Sequence, residues 1–406
     1  MVKAMIKTAI MGFGTVGSGV YEIIRDKAFA GTVGDEVEVK YILDIRDFDD
    51  EEIKPMLTKN FDDILNDDEV SIAAEVMGGL HPAYEFTKQL LSKGKSVVTS
   101  NKELVATYGP ELLELAEKNN ALYLFEASVG GGIPVIRPMT ICTKANDITT
   151  VAGILNGTTN YILDEMFTKG KEFEAALSDA QAKGYAERNP AADVEGYDAC
   201  RKLAILASMA WGKYVDYNNI CTKGITDITK RDVAYSEKLS SVIKLIGLAQ
   251  INDEGKIYTS VAPMIVPNEN ILSSVNGVFN AVMLRGNYLG DAVFYGRGAG
   301  KLPTASAVVA DILDCSRHFD GKKHNIVWDI PKENPVADIN EQVLSFFVRC
   351  RDSEENIKNK FENAEIVSVF DDETGFVVKD ITRGRLNNEL EKIKDVINVL
   401  GVLKLK

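Results

Sequence analysis

Short apolar runs alternate with segments of helical spacing through the first third of the chain. Lys7 to Met11, Val37 to Asp44, Val70 to Val76, Ser96 to Ser100 and Ala121 to Glu126 read as strands. Helices are expected between them, at 18–29, 83–93 and 110–118. This alternation predicts an α/β Rossmann-type doubly wound domain around a parallel sheet. From about Ile148 the texture changes. A strand over Thr149 to Leu155 runs into Asn156-Gly157-Thr158-Thr159-Asn160. Helices are predicted at 160–168, 172–183 and 198–212, a long helix near 230–249, and strand-like segments at 257–266 and 276–285. That mixture predicts a separate α+β domain with a mixed sheet. A glycine-rich loop, Ala292 to Thr304, and a helix, Ala305 to Leu313, are expected to bring the chain back to the first domain. Lys322 to Pro335 reads as linker. The tail reads strand (343–350), helix (353–361), strands (365–370, 375–380), helix (385–396) and strand (397–405), the ferredoxin-like βαββαβ order.

Composition narrows the class. The chain has 406 residues, more than one core usually supports. A net charge of −14 argues against a nucleic-acid partner and against an anionic membrane surface. The five cysteines are widely spaced and form no C-x-x-C, which fits reduced thiols in a cytoplasmic protein. Three histidines, His81, His318 and His324, give no zinc spacing. No small-residue cleavage site precedes the first glycine turn, and no apolar run reaches membrane-spanning length.

The first strand ends in Gly12-Phe13-Gly14-Thr15-Val16-Gly17 and a helix follows. In that context the glycines allow a tight turn and let backbone N–H groups approach a pyrophosphate. After the second strand come Asp44 and Arg46. An acid there suits the ribose hydroxyls of NAD and an arginine the extra phosphate of NADP, so both cofactors stay open. Both residues lie further than usual from the glycines, because an extra loop around Ala30 to Glu36 intervenes. Thr99, Ser100 and Lys102 sit at the carboxyl end of a strand, where open α/β sheets bind ligands. Glu126 leads into Ala127-Ser128-Val129-Gly130-Gly131-Gly132-Ile133-Pro134. This stretch suits either a cation held by a carboxylate and carbonyls or a bare hinge.

The densest chemistry lies in Gly184 to Lys202. Gly184, Pro190 and Gly196 punctuate a loop that holds Glu187 and Asp193 and feeds a helix beginning at Asp198. Asp198 and Lys202 are four apart, so they share one helix face with Ile205, Leu206 and Met209. A solvated ion pair is the ordinary reading of that spacing. A lysine set among apolar neighbours is instead a candidate for proton transfer.

These motifs, with Gly153 to Tyr161 and Gly298 to Thr304, stand in the order found in homoserine dehydrogenases, which the chain resembles over most of residues 5–320. The resemblance implies NAD(P)-linked, reversible conversion of L-aspartate 4-semialdehyde to L-homoserine, toward threonine, methionine and isoleucine. It implies Lys202 as catalytic proton donor, with Lys102 between nicotinamide and substrate as a second catalytic residue that shares the acid–base work. Glu187 and Asp198 would bind the amino acid, with Gly157, Thr158, Tyr185 and Asp193 nearby in the substrate site. Gly184 and Gly300 would contact cofactor. Glu126 and the carbonyls of Val129, Gly131 and Ile133 match a structural sodium or potassium site. The domains expected are 1–135 for the dinucleotide, completed by about 298–320, and 136–297 for catalysis and dimerisation. A return segment and linker (298–335) and a tail (340–406) follow. The tail resembles an ACT domain, with Arg351-Asp352-Ser353-Glu354 in place of the usual Asp-x-Pro-Gly turn. Without the effector-binding glycine its expected role is oligomerisation, in a homodimer or homotetramer. Two alternatives remain: another amino-acid or hydroxy-acid dehydrogenase with His81 as general acid, and a non-catalytic dinucleotide and amino-acid sensor.

Overall fold

The structure is a computed structural model that describes residues 5–26, 37–318, 323 and 325–404. His324 and the loop expected around Ala30 to Glu36 lie outside the described residues. Two compact units are present. One takes the described residues of Met1–Asp147, Ala204–Asp216 and Gly296–Lys332, and the other those of Ile148–Leu203, Tyr217–Tyr295 and Glu333–Lys406.

The first unit is built on β1 (Ile6–Met11), β2 (Val37–Leu43), β3 (Leu57–Thr58), β4 (Val70–Glu75), β5 (Ser96–Thr99) and β6 (Tyr123–Leu124). Their order is β3-β2-β1-β4-β5-β6, every pair parallel. Such a sheet is covered on both faces, which is why its strands read as continuous apolar runs. Ile10, Ile42, Ile72 and Val98 from the strands share one core with Val308 and Ile312 of the returning helix, Lys301–Arg317. That helix lies close against Thr15–Arg25: a Cβ on Gly19 would come within 2.9 Å of the Ala305 Cβ.

Three expectations for this unit change. The helix expected at 110–118 runs from Lys102 to Lys118, straight through Pro110. Proline cannot donate to the carbonyl of Ala106, and the Tyr214 hydroxyl donates to that oxygen instead, at 2.9 Å. The expected linker is anchored, with Trp328 buried against Phe125 and Asn325 bonded to Tyr123 N and Ala121 O. The unit also extends past residue 135, because Glu126 binds the start of the helix Ile136–Ile141.

The second unit holds β7 (Ile148–Ile154), β8 (Cys221–Thr222), β9 (Ser241–Ile251), β10 (Ile257–Pro267), β11 (Phe279–Gly286), β12 (Gly290–Arg297), β13 (Val343–Cys350), β14 (Glu365–Val367), β15 (Thr374–Thr382) and β16 (Val396–Val402). They form one mixed sheet, β12-β11-β7-β9-β10-β16-β13-β15-β14, with β8 beside β10. The long helix expected near 230–249 is instead a helix, Lys230–Lys238, and β9. Ser241 to Ala249 is buried on nearly every residue, and periodicity cannot separate such a run from a buried helix. Pairing with both β7 and β10 decides it. Within the glycine-rich stretch expected as loop, Gly290–Arg297 is the strand β12.

The tail follows the expected element order, with lateral order β16-β13-β15-β14 and antiparallel pairs. It is not a detached domain. β16 continues the central sheet by pairing in parallel with β10, Met264 opposite Gly401. The buried Arg349 of β13 reaches Asp232 at 2.6 Å, and Asn398 donates to the same carboxylate. Among the described residues no helix is long and apolar enough to cross a membrane.

Candidate active site

In the first unit the glycine turn divides its labour. Gly12 has φ +97°, a backbone that favours glycine. A Cβ on Gly17 would lie 1.9 Å from the Gly12 carbonyl oxygen, so this glycine permits close packing of helix on strand. At Gly14 no atom lies within 4 Å of the Cβ position, just ahead of the helix Thr15–Arg25. Open room in front of a helix N-terminus fits a pyrophosphate. Thr15 is exposed there, while Val16 packs on the core and Phe13 meets Tyr21 and Phe48 edge-on.

Asp44 follows β2 directly. The Phe13 backbone N–H donates to it at 2.8 Å, and Arg46 grips both oxygens, at 2.9 and 2.8 Å. Arg46 holds the Asp44 carboxyl well below the usual carboxylate range, against the opposing effect of burial. The two residues that point to different cofactors are therefore one ion pair.

At the exit of β5, Ser100 and Lys102 are half-buried and Lys102 opens the helix Lys102–Lys118. Thr99 is buried, and its hydroxyl donates to Glu75 at 2.6 Å and accepts from the Asn101 N–H at 2.9 Å. That hydroxyl therefore donates into the protein interior. Gly300 has φ +126° and starts the returning helix. Glu126 is buried, with Oε1 accepting from the N–H groups of Val135 and Ile136 and Oε2 from that of Arg137. Its charge already faces a helix N-terminus, which leaves about one of its four acceptor positions for a cation. Val129, Gly131 and Ile133 are buried beside it in sequence. Among the described residues no group of three or more His, Cys, Asp or Glu could hold a metal. His81 is exposed and paired with Glu85 at 2.7 Å.

In the second unit the helix Tyr197–Trp211 carries Asp198 and Lys202 on one face, and both are buried. The solvated pair is ruled out: the side chains are 8% and 10% exposed. Lys202 Nζ donates to Asp198 Oδ2 at 2.8 Å and to the Leu155 carbonyl at 2.8 Å. An ammonium has three N–H bonds, so two fix its position and one remains for a ligand oxygen.

Asn156, absent from the candidate site residues above, ties this cluster together. Its amide Nδ2 donates to Asp193 at 2.6 Å and to Asp198 at 2.9 Å. Its Oδ1 caps the helix Gly157–Lys169 by accepting from the Thr159 N–H. The available signal was an Asn at a strand end, one residue before a helix. Burial raises the Asp193 carboxyl above the usual aspartate range; the Asn156 hydrogen bond opposes this and the Asp198 charge adds to it. Gly157 leaves no room for a side chain, since a Cβ would lie 2.6 Å from the Val278 oxygen. Thr158 Oγ1 donates to the Tyr185 carbonyl at 2.6 Å, and the Tyr185 ring rests edge-on against Tyr161. Glu187 is exposed. Gly184, at φ +73°, ends the helix Phe173–Ala182 and belongs to this unit, not to the unit with the glycine turn.

Comparison with known proteins gives one consistent result. Residues 134–313 match the family model described as homoserine dehydrogenase, and residues 12–126 the model described as homoserine dehydrogenase, NAD binding domain. A homoserine dehydrogenase of Synechocystis is 42% identical over 346 residues, covering 82% of this chain and 76% of its own length. The crystal structure of a homoserine dehydrogenase from Thiobacillus denitrificans superposes with a TM-score of 0.89 at 32% identity, over 100% of this chain and 99% of that one. A hyperthermophilic archaeal homoserine dehydrogenase mutant, solved in complex with NADPH, matches at TM-score 0.66 and 29% identity, over 79% of this chain and 100% of that one.

Proposed function

This chain belongs to the homoserine dehydrogenase family, and on that premise we propose that it interconverts L-aspartate 4-semialdehyde and L-homoserine with Lys202 as the proton donor. By family it is an NAD(P)-dependent oxidoreductase. The observation behind the role of Lys202 is its burial with two N–H bonds fixed and a third available. As the carbonyl is reduced, negative charge builds on its oxygen, and a cation aimed there stabilises it and passes the proton. Bound nicotinamide supplies the hydride in this direction and takes it in the other. In the reverse direction the same nitrogen receives the hydroxyl proton.

Asp198 is expected to orient Lys202 more than to touch substrate, because Lys202 and Asn156 already bind one of its oxygens. Asp193 and Glu187 are left to meet the substrate ammonium, with Gly157, Thr158 and Tyr185 shaping the site. Gly12 to Gly17, with Asp44 and Arg46, would hold the adenosine and pyrophosphate portions of the dinucleotide. Lys102 would stand toward the nicotinamide. NADP is the cofactor we favour, because an archaeal relative was solved with NADPH and Arg46 is exposed here. A monovalent cation at Glu126 and the Val129, Gly131 and Ile133 carbonyls would be structural. The tail is proposed as an ACT-like module for assembly, in a cytoplasmic homodimer or homotetramer.

The test is L-homoserine oxidation followed by absorbance, with NAD and NADP in separate runs, for wild type and Lys202→Ala. Turnover that collapses in the variant supports the reading. Turnover that survives in the variant removes Lys202 from the mechanism.

A further inference from the structure

Glu75 is the last residue of β4 and is fully buried. It sits in register with Met11, one residue before the glycine turn, and with Thr99 at the end of β5. It therefore occupies the middle of the sheet's carboxyl edge, the ligand side of an open α/β sheet. The rest of β4 is small or apolar apart from Ser71, and packing alone gives no reason for a carboxyl group here. A buried acid is costly unless its partners are in place.

The partners form a closed ring. Thr99 Oγ1 donates to Glu75 Oε2 at 2.6 Å, and the Met77 N–H donates to Oε1 at 2.9 Å. The Asn101 N–H donates to Thr99 Oγ1 at 2.9 Å, and Asn101 Nδ2 donates to the Gly79 carbonyl at 2.6 Å. Asn101 Oδ1 then caps the helix that Lys102 opens. Glu75 thus fixes two loops at once, Met77 to Gly79 and Ser100 to Lys102. Gly78 and Gly79 have φ +82° and +72°, with no atom within 4 Å of either Cβ position. The ring holds a left-handed turn against open space. Burial raises the Glu75 carboxyl above its usual range, with its hydrogen bonds opposing the shift.

Strand order says which part of a ligand belongs there. Asp44 lies at the end of β2 and the glycine turn at the end of β1, so the adenosine and pyrophosphate are taken on that side. With order β2-β1-β4-β5, the remaining half of the dinucleotide extends over β4 and β5. We propose that Glu75 is a positioning residue for the nicotinamide half of the cofactor, acting through Thr99, Asn101 and the Met77 to Gly79 turn. This rests on the reading that the first unit binds NAD(P).

The test compares two ligands on the full-length protein. NADPH, and the 2′-phosphorylated ADP-ribose that lacks nicotinamide, are titrated calorimetrically against wild type, Glu75→Ala and Glu75→Gln, with melting temperatures recorded alongside. Glu75→Ala is expected to weaken NADPH about tenfold or more, the scale of a lost buried hydrogen bond or two, and to leave the fragment within about twofold. Glu75→Gln keeps the size and the acceptor toward Met77, and should restore most of the NADPH affinity. It also keeps the test open if the alanine variant does not fold. Steady-state kinetics should show a raised cofactor KM with homoserine KM unchanged. Equal weakening of both ligands, or a lower melting temperature with NADPH affinity intact, would overturn the proposal. Failure of wild type to bind either ligand would instead sink the cofactor reading on which it stands.

Discussion

Two acid–cation pairs stand close in sequence, one in each unit, and both close at 2.8 Å. Asp198 and Lys202 are both nearly inaccessible, with a backbone carbonyl and Asn156 completing the cluster. The Asp44 side chain is hidden as well, but its partner Arg46 is 56% exposed. Equal distances therefore mean different things. In the second unit either partner lost leaves a buried charge uncompensated, which typically costs several kcal/mol. In the first unit only Asp44 is hidden, and the Phe13 N–H also holds it, while the exposed Arg46 guanidinium has water as an alternative partner. A buried pair suits chemistry that needs one fixed geometry. A half-exposed pair suits a choice between ligands.

The largest effect is expected at Lys202: Lys202→Ala should lower kcat by about 10²–10⁴, the range for losing a general acid–base group, with cofactor affinity unchanged. Stopped-flow single turnovers would check this, and a drop below tenfold would end the contrast. Next comes Asp198→Ala, which strands the Lys202 ammonium and should destabilise the second unit by about 3–5 kcal/mol in urea unfolding. A loss under about 1 kcal/mol would mean the pair behaves like a surface pair. Asn156→Ala removes a helix cap and the bridge between two carboxylates, so about 1–3 kcal/mol of stability should go, together with a raised homoserine KM. Stability loss with KM untouched would reduce Asn156 to a cap.

A subtler effect concerns pH. Because Asp193 is raised, it gains a proton at higher pH than an ordinary aspartate as the solution is acidified. Its negative charge toward the substrate ammonium is then lost, so homoserine KM should climb on the acid side. Asp193→Asn should flatten that limb, and an unchanged profile would remove Asp193 from substrate binding. The smallest change in stability is expected for Arg46→Ala, because its side chain stands largely in solvent. Its effect is on choice: releasing Asp44 and removing the cation should shift the NADP to NAD preference toward NAD, read as the ratio of kcat/KM values.

Legibility differed between the units. The parallel sheet was readable because its strands, covered on both faces, are short apolar runs separated by helices. Gly12-x-Gly14-x-x-Gly17 was readable because each glycine answers a local demand, a positive φ, an open approach or a 1.9 Å clash. β9 was misread because a strand buried on both faces carries no period of its own. The helix through Pro110 was cut short because its spare carbonyl is satisfied by Tyr214, more than a hundred residues away.

The site shows the same division. Sequence by itself determined that Asp198 and Lys202 share a face, since i,i+4 spacing fixes that in any helix. It also put a carboxylate and an arginine past the second strand. Tertiary structure alone decided that the Lys202 pair is buried, that Asn156 joins it to Asp193, and that Asp44 and Arg46 hold each other. It alone brought Glu75, Thr99 and Asn101 into one ring from the ends of two strands. Spacing along a chain sets direction, whereas burial and partners across strands depend on which distant segments pack together, and no local pattern records that.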